Sequence, residues 1–143
     1  MITIDASIVI GLLLEEGPSD VWQALVEDDG MVPATFYAEI AQAILRAERR
    51  NRIAGNQVTR IVETVNAMPL SIHFPSVALT IALARKHSLS AYDATYLAVA
   101  METDLLLATL DEQLASAAKA EKRLWTAQRR RPGSGVSYLI EAR

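Results

Sequence analysis

The sequence predicts one α/β domain in which helices cover a mostly parallel sheet. Short apolar runs such as 2–4 and 105–108 alternate with segments of helical periodicity, which is the pattern of strands joined by crossover helices. With 143 residues, 51% of them apolar and none of them cysteine, the chain can build one core without disulfides. We expect a domain over residues 1–127 and a mobile tail over 128–143, where an Arg-Arg-Arg-Pro-Gly run is typical of solvated chain.

The first half of the chain indicates two strands and the helices that follow them. A strand is predicted over 2–4, a helix over 6–14, a further helical pattern over 21–26 and a second strand over 31–32. We expect Thr35 to cap the next helix. The apolar residues of this helix recur at the spacing of one helix face: Ile40, Ala43, Ile44 and Ala47.

The second half continues the alternation. The predicted elements are a helix over 57–67, a strand over 70–74, a helix over 75–85, a helix over 91–101, a strand over 105–108 and an edge strand over 124–125. Ser90 is the expected cap of the helix over 91–101. Thr109 and Glu112 have the spacing of a capping box, which predicts that another helix begins near Asp111.

Charge and hydropathy limit the classes of function. The net charge of −3 and the pI of about 5.4 do not indicate a nucleic-acid-binding protein, so any such role needs a local basic surface. No apolar run reaches the roughly 18 residues that span a bilayer, and the opening residues have no basic segment of the kind that starts a signal peptide. We expect a cytoplasmic protein with no membrane partner.

Four carboxylates occupy equivalent places in this layout: Asp5, Glu39, Asp93 and Asp111. Each follows a predicted strand or lies near the start of a predicted helix. Because these points share one edge of a parallel sheet, the four side chains are expected to converge there. Asp93 and Asp111 have an alternative explanation, since acids in a first helical turn are stabilised by the helix dipole.

A cluster of acids with no neighbouring Lys or Arg points to a hard metal ion. Oxygen ligands without cysteine favour Mg²⁺ or Mn²⁺, and two histidines are too few for a zinc centre. Such an ion activates water and holds phosphate oxygens, which suits phosphodiester hydrolysis. The alternative is an Asp-dependent phosphotransfer or phosphatase domain, which normally needs a lysine near the phosphate; lysines occur only at 86, 119 and 122.

Four sequence blocks carry a family resemblance: Ile4-Asp5-Ala6-Ser7, Tyr37-Ala38-Glu39-Ile40, Ser90 to Ala98 and Leu107 to Asp111. In this order and separation, the chain resembles the PIN-domain ribonucleases, specifically the VapC-type toxins of toxin-antitoxin pairs. The resemblance implies a three-layer α/β/α sandwich, a Mg²⁺ or Mn²⁺ site and endoribonuclease activity on single-stranded RNA. It also implies a small antitoxin protein that covers the site, and commonly a homodimer.

The resemblance also assigns residues. Asp5, Glu39 and Asp93 match the core acids of the family, and Asp111 matches a fourth, more variable acid. Ser7 and Thr109 match polar positions that line the same site. A PIN-like module that has lost catalysis and only binds RNA or protein remains the alternative, which the full set of acids disfavours.

Further residues are candidates for contact with RNA or a partner. On the predicted helix, Arg46 and Arg50 project within about 20° of Glu39. One interpretation is a basic ridge that binds the phosphate backbone of RNA, and the other is simply a solvated helix end. Tyr92 and Tyr96 flank Asp93 and are candidates for base stacking. Trp22, with its apolar neighbours and the run 12–14, is a candidate for the antitoxin groove, although core packing would also explain it.

Overall fold

The computed structural model describes residues 1–14 and 28–126. Within these residues the strands are β1 (Ile2–Ile4), β2 (Gly30–Val32), β3 (Leu70–Ile72) and β4 (Leu107–Ala108). They form one parallel sheet of order β3-β2-β1-β4. The predicted edge strand over 124–125 is reduced to a single bridge between Leu124 and Leu107.

The helices alternate with these strands as predicted. They are α1 (Ala6–Leu13), α2 (Thr35–Arg49), α3 (Gly55–Ala67), α4 (Val77–His87), α5 (Ala91–Glu102) and α6 (Glu112–Ala120). The predicted helical pattern over 21–26 and the tail over 128–143 lie outside the described residues. No helix in the described ranges has both the length and the apolar character needed to cross a membrane.

The order of the strands places the helices on both faces of the sheet. The chain moves from β1 through β2 to β3 in one direction and then returns past β1 to β4. Because parallel crossovers are right-handed, the reversal moves the later helices to the opposite face. Accordingly α2 packs against α1 and α3, whereas α5 packs between α4 and α6. The expected α/β/α sandwich is confirmed.

Helix α5 forms the centre of the core. It packs on β1, β2 and β4, and six of its residues are buried: Ala94, Tyr96, Leu97, Ala98, Val99 and Ala100. The small side chains of Ala94 and Ala98, both fully buried, let the helix approach the sheet closely. This close packing fixes the first turn of α5 beside the carboxyl edge of the sheet.

Two of the predicted helix caps are wrong. Ala34 stands at the start of α2, and Thr35 is already helical and caps nothing with its side chain. Asp111, not Thr109, caps α6, because its Oδ1 accepts a hydrogen bond of 2.7 Å from the Leu114 N–H. Ser90 caps α5 as expected, with its Oγ 3.1 Å from the Asp93 N–H.

Candidate functional site

The predicted site lies where the strand order reverses. Strand β1 is followed along the chain by β2 on one side, whereas β4 joins it on the other side. Asp5 comes directly after β1, and Thr109 comes directly after β4. In open α/β sheets ligands bind in the crevice that opens at such a point, beyond the carboxyl ends of the strands.

Asp5 is held there by two hydroxyl groups. Its Oδ2 accepts hydrogen bonds of 2.6 Å from Ser7 Oγ and 2.7 Å from Thr109 Oγ1. Each hydroxyl in turn accepts a backbone N–H at 3.0 Å, Ser7 from Leu110 and Thr109 from Asp111. The backbone therefore orients both hydroxyls so that their protons point to Asp5. This contact explains why Thr109 does not cap α6.

The environment of Asp5 disfavours its negative charge. The residue is only 4% exposed. Burial raises the pKa of its carboxyl, the bonds from Ser7 and Thr109 lower it, and the charges of Asp93 and Asp111 raise it again. The ion pairs among residues 1–14 and 28–126 engage other carboxylates: Asp28, Glu102, Asp104 and Glu121. Asp5 thus has no cationic partner in this part of the chain.

Glu39 approaches the same region from α2. It is half-buried, and its Oε1 accepts a hydrogen bond of 3.1 Å from the Tyr96 hydroxyl of α5. Burial raises the pKa of Glu39 to about 7; the Tyr96 bond opposes this shift, and the charges of Asp5 and Asp93 add to it. Burial also raises the pKa of Tyr96, so its phenol remains a proton donor.

Asp93 and Asp111 complete the acidic edge in different ways. Asp93 lies in the first turn of α5, where burial first and then the charge of Asp111 raise its pKa, while the Ser90 hydroxyl lowers it. Asp111 is exposed and serves as the cap of α6, which the helix-dipole alternative anticipated. Asp5 and Asp93 therefore each interact electrostatically with both Glu39 and Asp111 at this edge.

The donor set fits a hydrated divalent ion better than a closed protein cage. In the described ranges, no three carboxylate or imidazole groups form a ready-made ligand set. Mg²⁺ commonly keeps several waters and takes only one or two carboxylates directly. Both hydroxyl contacts of Asp5 use Oδ2, and no described residue donates to its Oδ1. A buried carboxylate oxygen with no donor and no cation is a suitable ligand for such an ion.

The surrounding residues only partly match the sequence-based expectations. Arg46 is exposed on α2, and Arg50 is exposed as the residue that ends this helix. Tyr92 is 64% exposed, but Tyr96 is fully buried, so base stacking by Tyr96 is wrong. The role of Tyr96 as the partner of Glu39 was missed. Its spacing of three residues from Asp93 was the available signal, because such residues share a helix face.

Other candidates lie away from the acids or outside the described residues. His73 contacts Glu102, and His87 contacts Glu121. Trp22 and its neighbours in the proposed groove lie outside the described ranges, whereas the run 12–14 lies within them. Leu13 and Leu14 of this run line a small apolar pocket together with residues of α1, α2 and α3: Ile10, Ile40, Ala43, Ile44 and Ile61.

A parallel α/β/α sandwich with interacting acids at its topological switch point defines the class of this protein. The sequence pattern of the PIN domain matches residues 2–120. The chain therefore belongs to the PIN-domain family.

Within this family the chain is similar to VapC ribonucleases. It is 31% identical over 118 residues to Ribonuclease VapC3 of Mycobacterium tuberculosis, which covers 81% of this chain and 86% of the relative. It is 30% identical over 122 residues to VapC ribonuclease Mb0985 of Mycobacterium bovis, covering 85% and 94%. These relatives confirm the resemblance inferred from the four sequence blocks.

A solved structure agrees with the fold. The crystal structure of PAE2754 from Pyrobaculum aerophilum superposes with a TM-score of 0.65 at 22% identity, covering 80% of this chain and 77% of that one.

Proposed function

We propose that this protein is a metal-dependent endoribonuclease that cleaves single-stranded RNA as the toxin of a toxin-antitoxin pair. The observation that carries the proposal is Asp5, a buried carboxylate at the switch point that interacts with other acids and has no cationic partner among residues 1–14 and 28–126. Burying a charge is costly unless a partner compensates it. The names of the VapC relatives support ribonuclease chemistry as the purpose of this arrangement.

Asp5, Glu39 and Asp93, together with Asp111, would hold Mg²⁺ or Mn²⁺. When bound, such an ion supplies positive charge against phosphate oxygens and makes water a better nucleophile. Ser7 and Thr109 fix the Asp5 carboxylate, and Tyr96 fixes that of Glu39. Preorganising the ligands in this way spares reorganisation during the reaction.

The basic side chains favour hydrolysis over phosphotransfer. The Lys86 ammonium group pairs with Glu121 at 2.6 Å. Lys119 lies in the last turn of α6 and Lys122 beyond it, whereas Asp111 starts that helix. The lysine expected for an Asp-dependent phosphotransfer domain is therefore not placed beside the acids. Arg46 and Arg50, exposed on the helix that holds Glu39, are proposed to bind the RNA backbone.

The partner proposed for this toxin is a small antitoxin protein that covers the acidic edge. Exposed carboxylates that repel one another are well suited to a basic side chain supplied by such a partner. Co-expression with the cognate antitoxin is expected to relieve growth arrest in the native host. Strong expression of the protein alone without any effect on growth would contradict the toxin assignment.

The decisive experiment is a cleavage assay on labelled single-stranded RNA with Mn²⁺, with Mg²⁺ and with EDTA. We expect cleavage only with metal, and its loss in Asp5→Asn and Asp93→Asn. Glu63→Gln is the matched control, because Glu63 is an exposed acid on α3. Cleavage that survives EDTA or the Asp93 substitution contradicts the mechanism. RNA binding without cleavage in the unmodified protein would instead identify an inactive binding module.

The same variants test whether the acids bind the metal. Removing one of several repelling carboxylates is expected to leave the metal-free protein as stable as the parent or more stable. Mn²⁺ is expected to raise the melting temperature of the parent, because it binds only the folded state. The rise should shrink in Asp93→Asn and persist in Glu63→Gln. A melting temperature that does not change with Mn²⁺ would indicate that the acids serve only as helix caps.

A further inference from the structure

Two buried hydroxyl groups in the described part of the chain make no hydrogen bond: those of Thr3 and Thr35. A buried polar atom without a partner costs free energy, because folding removes it from water and supplies nothing in exchange. The large majority of buried hydroxyls in folded proteins are paired, so an exception needs its own explanation. The two threonines differ in what surrounds them.

Thr3 lies in the interior of the sheet. Strand β1 pairs with β2 on one side and with β4 on the other, and Thr3 is fully buried between them. A β-branched side chain suits this position by its shape, which threonine shares with valine. The packing of the core therefore explains Thr3 without a role for its hydroxyl.

Thr35 instead lies beside a residue of the site. It is the first residue of α2, and Glu39 follows it by four residues, so the two side chains share one face of the helix. Helical side chains lean toward the helix N-terminus, which directs the Glu39 side chain over the turn that contains Thr35. The Thr35 hydroxyl lies close enough to lower the pKa of Glu39, although it falls short of a hydrogen bond with ordinary geometry.

The carboxylate of Glu39 is less restrained than that of Asp5. Asp5 accepts hydrogen bonds from two hydroxyl groups. In the described part of the chain, Glu39 accepts one from Tyr96, at Oε1. A carboxylate can accept several hydrogen bonds, and rotation about its terminal bond costs little. A small rotation of the Glu39 carboxylate can therefore pair it with the nearby hydroxyl of Thr35.

We propose that Thr35 is a positioning residue whose hydroxyl donates a hydrogen bond to the Glu39 carboxylate when Glu39 holds a divalent cation. Tyr96 then fixes this carboxylate from α5, and Thr35 fixes it from within α2, so that its remaining lone pairs keep one direction. A threonine hydroxyl suits this task, because a charged carboxylate only accepts hydrogen bonds and needs donors around it. The assignment rests on the proposed function, since it takes Glu39 as a metal ligand.

The Thr35 hydroxyl should therefore act in opposite directions in the two states of the protein. In the metal-free protein it is a buried polar group without a partner, so it lowers stability. In the metal-bound protein it supports a ligand, and loss of such a supporting contact typically weakens metal binding by roughly 10- to 100-fold. A side chain that served only the fold would not combine these two effects.

Thr35→Val tests both effects in the full chain, because valine keeps the shape of threonine and removes the hydroxyl. Urea denaturation without metal should give a stability equal to that of the parent or higher. Calorimetric titration with MnCl₂ should give an affinity that is roughly 10-fold lower. Thr35→Ser restores the hydroxyl and should bind Mn²⁺ nearly as tightly as the parent does.

Thr3→Val is the matched control, because it removes the other hydroxyl that has no partner in the described part of the chain. It should also leave the metal-free protein as stable as the parent or more stable, but its affinity for Mn²⁺ should be unchanged. Circular dichroism melts check that each variant is folded. Thr35→Ala supplies a second variant without the hydroxyl if Thr35→Val does not fold.

Three results would overturn the role of Thr35 alone. The first is equal affinity of the parent and Thr35→Val for Mn²⁺. The second is a Thr35→Val variant that loses metal-free stability together with affinity, because the hydroxyl would then serve the fold. The third is a Thr35→Ser variant that does not recover the affinity. A parent that does not bind Mn²⁺ would instead contradict the proposed metal site, and the role of Thr35 with it.

Discussion

The hydroxyl of Tyr96 donates a hydrogen bond of 3.1 Å to Oε1 of Glu39. Tyr96 belongs to α5 and Glu39 to α2, so the bond joins helices from the two opposite layers of the sandwich at the edge of the sheet. Tyr96 is fully buried, and its ring cannot turn away without disturbing the core. The bond therefore holds the longest of the four acidic side chains in a defined position.

Replacing Tyr96 by Phe should remove this restraint and keep the ring packing. Because the bond lowers the pKa of Glu39, we expect that pKa to rise above about 7 in metal-free Tyr96→Phe. Affinity for Mn²⁺ should fall by roughly 3- to 10-fold, within the range of supporting contacts around metal sites. NMR titration of Glu39 and the shift of melting temperature with Mn²⁺ measure the two effects. An unchanged Glu39 pKa would show that the bond has no electrostatic effect.

Stability of the metal-free protein should fall as the pH rises from about 4.5 to about 7. The folded-state pKa of Glu39 is raised from 4.5 to about 7, so in this interval the folded protein holds more protons than the unfolded chain. This contribution of Glu39 to the free energy of unfolding is fully present below the pKa of Glu39 in the unfolded chain. It is lost as the pH rises through the pKa of Glu39 in the folded protein. Allowing for solvent screening of a half-exposed group, the loss is about 1 to 2 kcal/mol.

Urea denaturation at pH 4.5 and pH 7 measures this loss, and Glu39→Gln should reduce it. Asp5 and Asp93 also have raised pKa values, so each of them also lowers the stability of the metal-free protein as the pH rises. Saturating Mn²⁺ should offset the decline at pH 7 by binding the folded state. A stability that is flat over this interval, or that rises with pH, would argue against repulsion among the acids.

Thr109→Val should disturb Asp5 more than Thr109→Ser does. The valine variant keeps the shape of the side chain but loses the 2.7 Å bond to Asp5 and the acceptor for the Asp111 N–H. Leaving a buried partner unsatisfied costs about 1 to 3 kcal/mol, which a thermal or chemical denaturation curve resolves. RNA cleavage should drop with Thr109→Val and recover largely with Thr109→Ser. Equal effects of the two substitutions would point to packing and not to the hydroxyl.

Changing Arg46 and Arg50 together to Ala should weaken RNA binding and reduce its salt dependence. Each phosphate contact that is lost removes nearly one unit from the slope of log affinity against log salt. Mn²⁺ binding should be unchanged, because neither arginine can ligate a metal. Arg60→Ala on α3 is the matched control, as Arg60 is exposed on a different helix. An unchanged slope would assign Arg46 and Arg50 to a solvated helix end.

Strand and helix order were predictable because periodicity and apolar runs reflect which side chains the sheet buries. The run at 105–108 was predicted as one strand, but the strand comprises only Leu107 and Ala108, although the Leu106 carbonyl accepts the Thr3 N–H at 2.8 Å. Positions of the acids along the chain followed from the same pattern. The apolar residues on either side of Asp5 and Glu39 favour burial of both carboxylates, but they do not show that Asp5 is the more deeply buried of the two.

Contacts between distant residues were not predictable in detail. The bond between Tyr96 and Glu39 depends on where α2 meets α5, which no local pattern specifies. Thr109 has the spacing of a capping residue, but its hydroxyl bonds to Asp5 because the sheet brings β4 beside β1. In both cases a tertiary contact determines the role of the side chain. The local sequence had instead indicated base stacking for Tyr96 and helix capping for Thr109.

The bond between Asp5 and Thr109 can form only late in protein synthesis. The two residues are 104 positions apart, and β1 pairs with β4 across the same interval. A ribosome that has made Asp5, Glu39 and Asp93 still has to make β4 and release it from the exit tunnel before the acidic edge can close around Asp5. In the proposed nuclease, a nascent chain that stalls earlier therefore lacks the contact that holds Asp5 in place, so the site is completed only after β4 has been made.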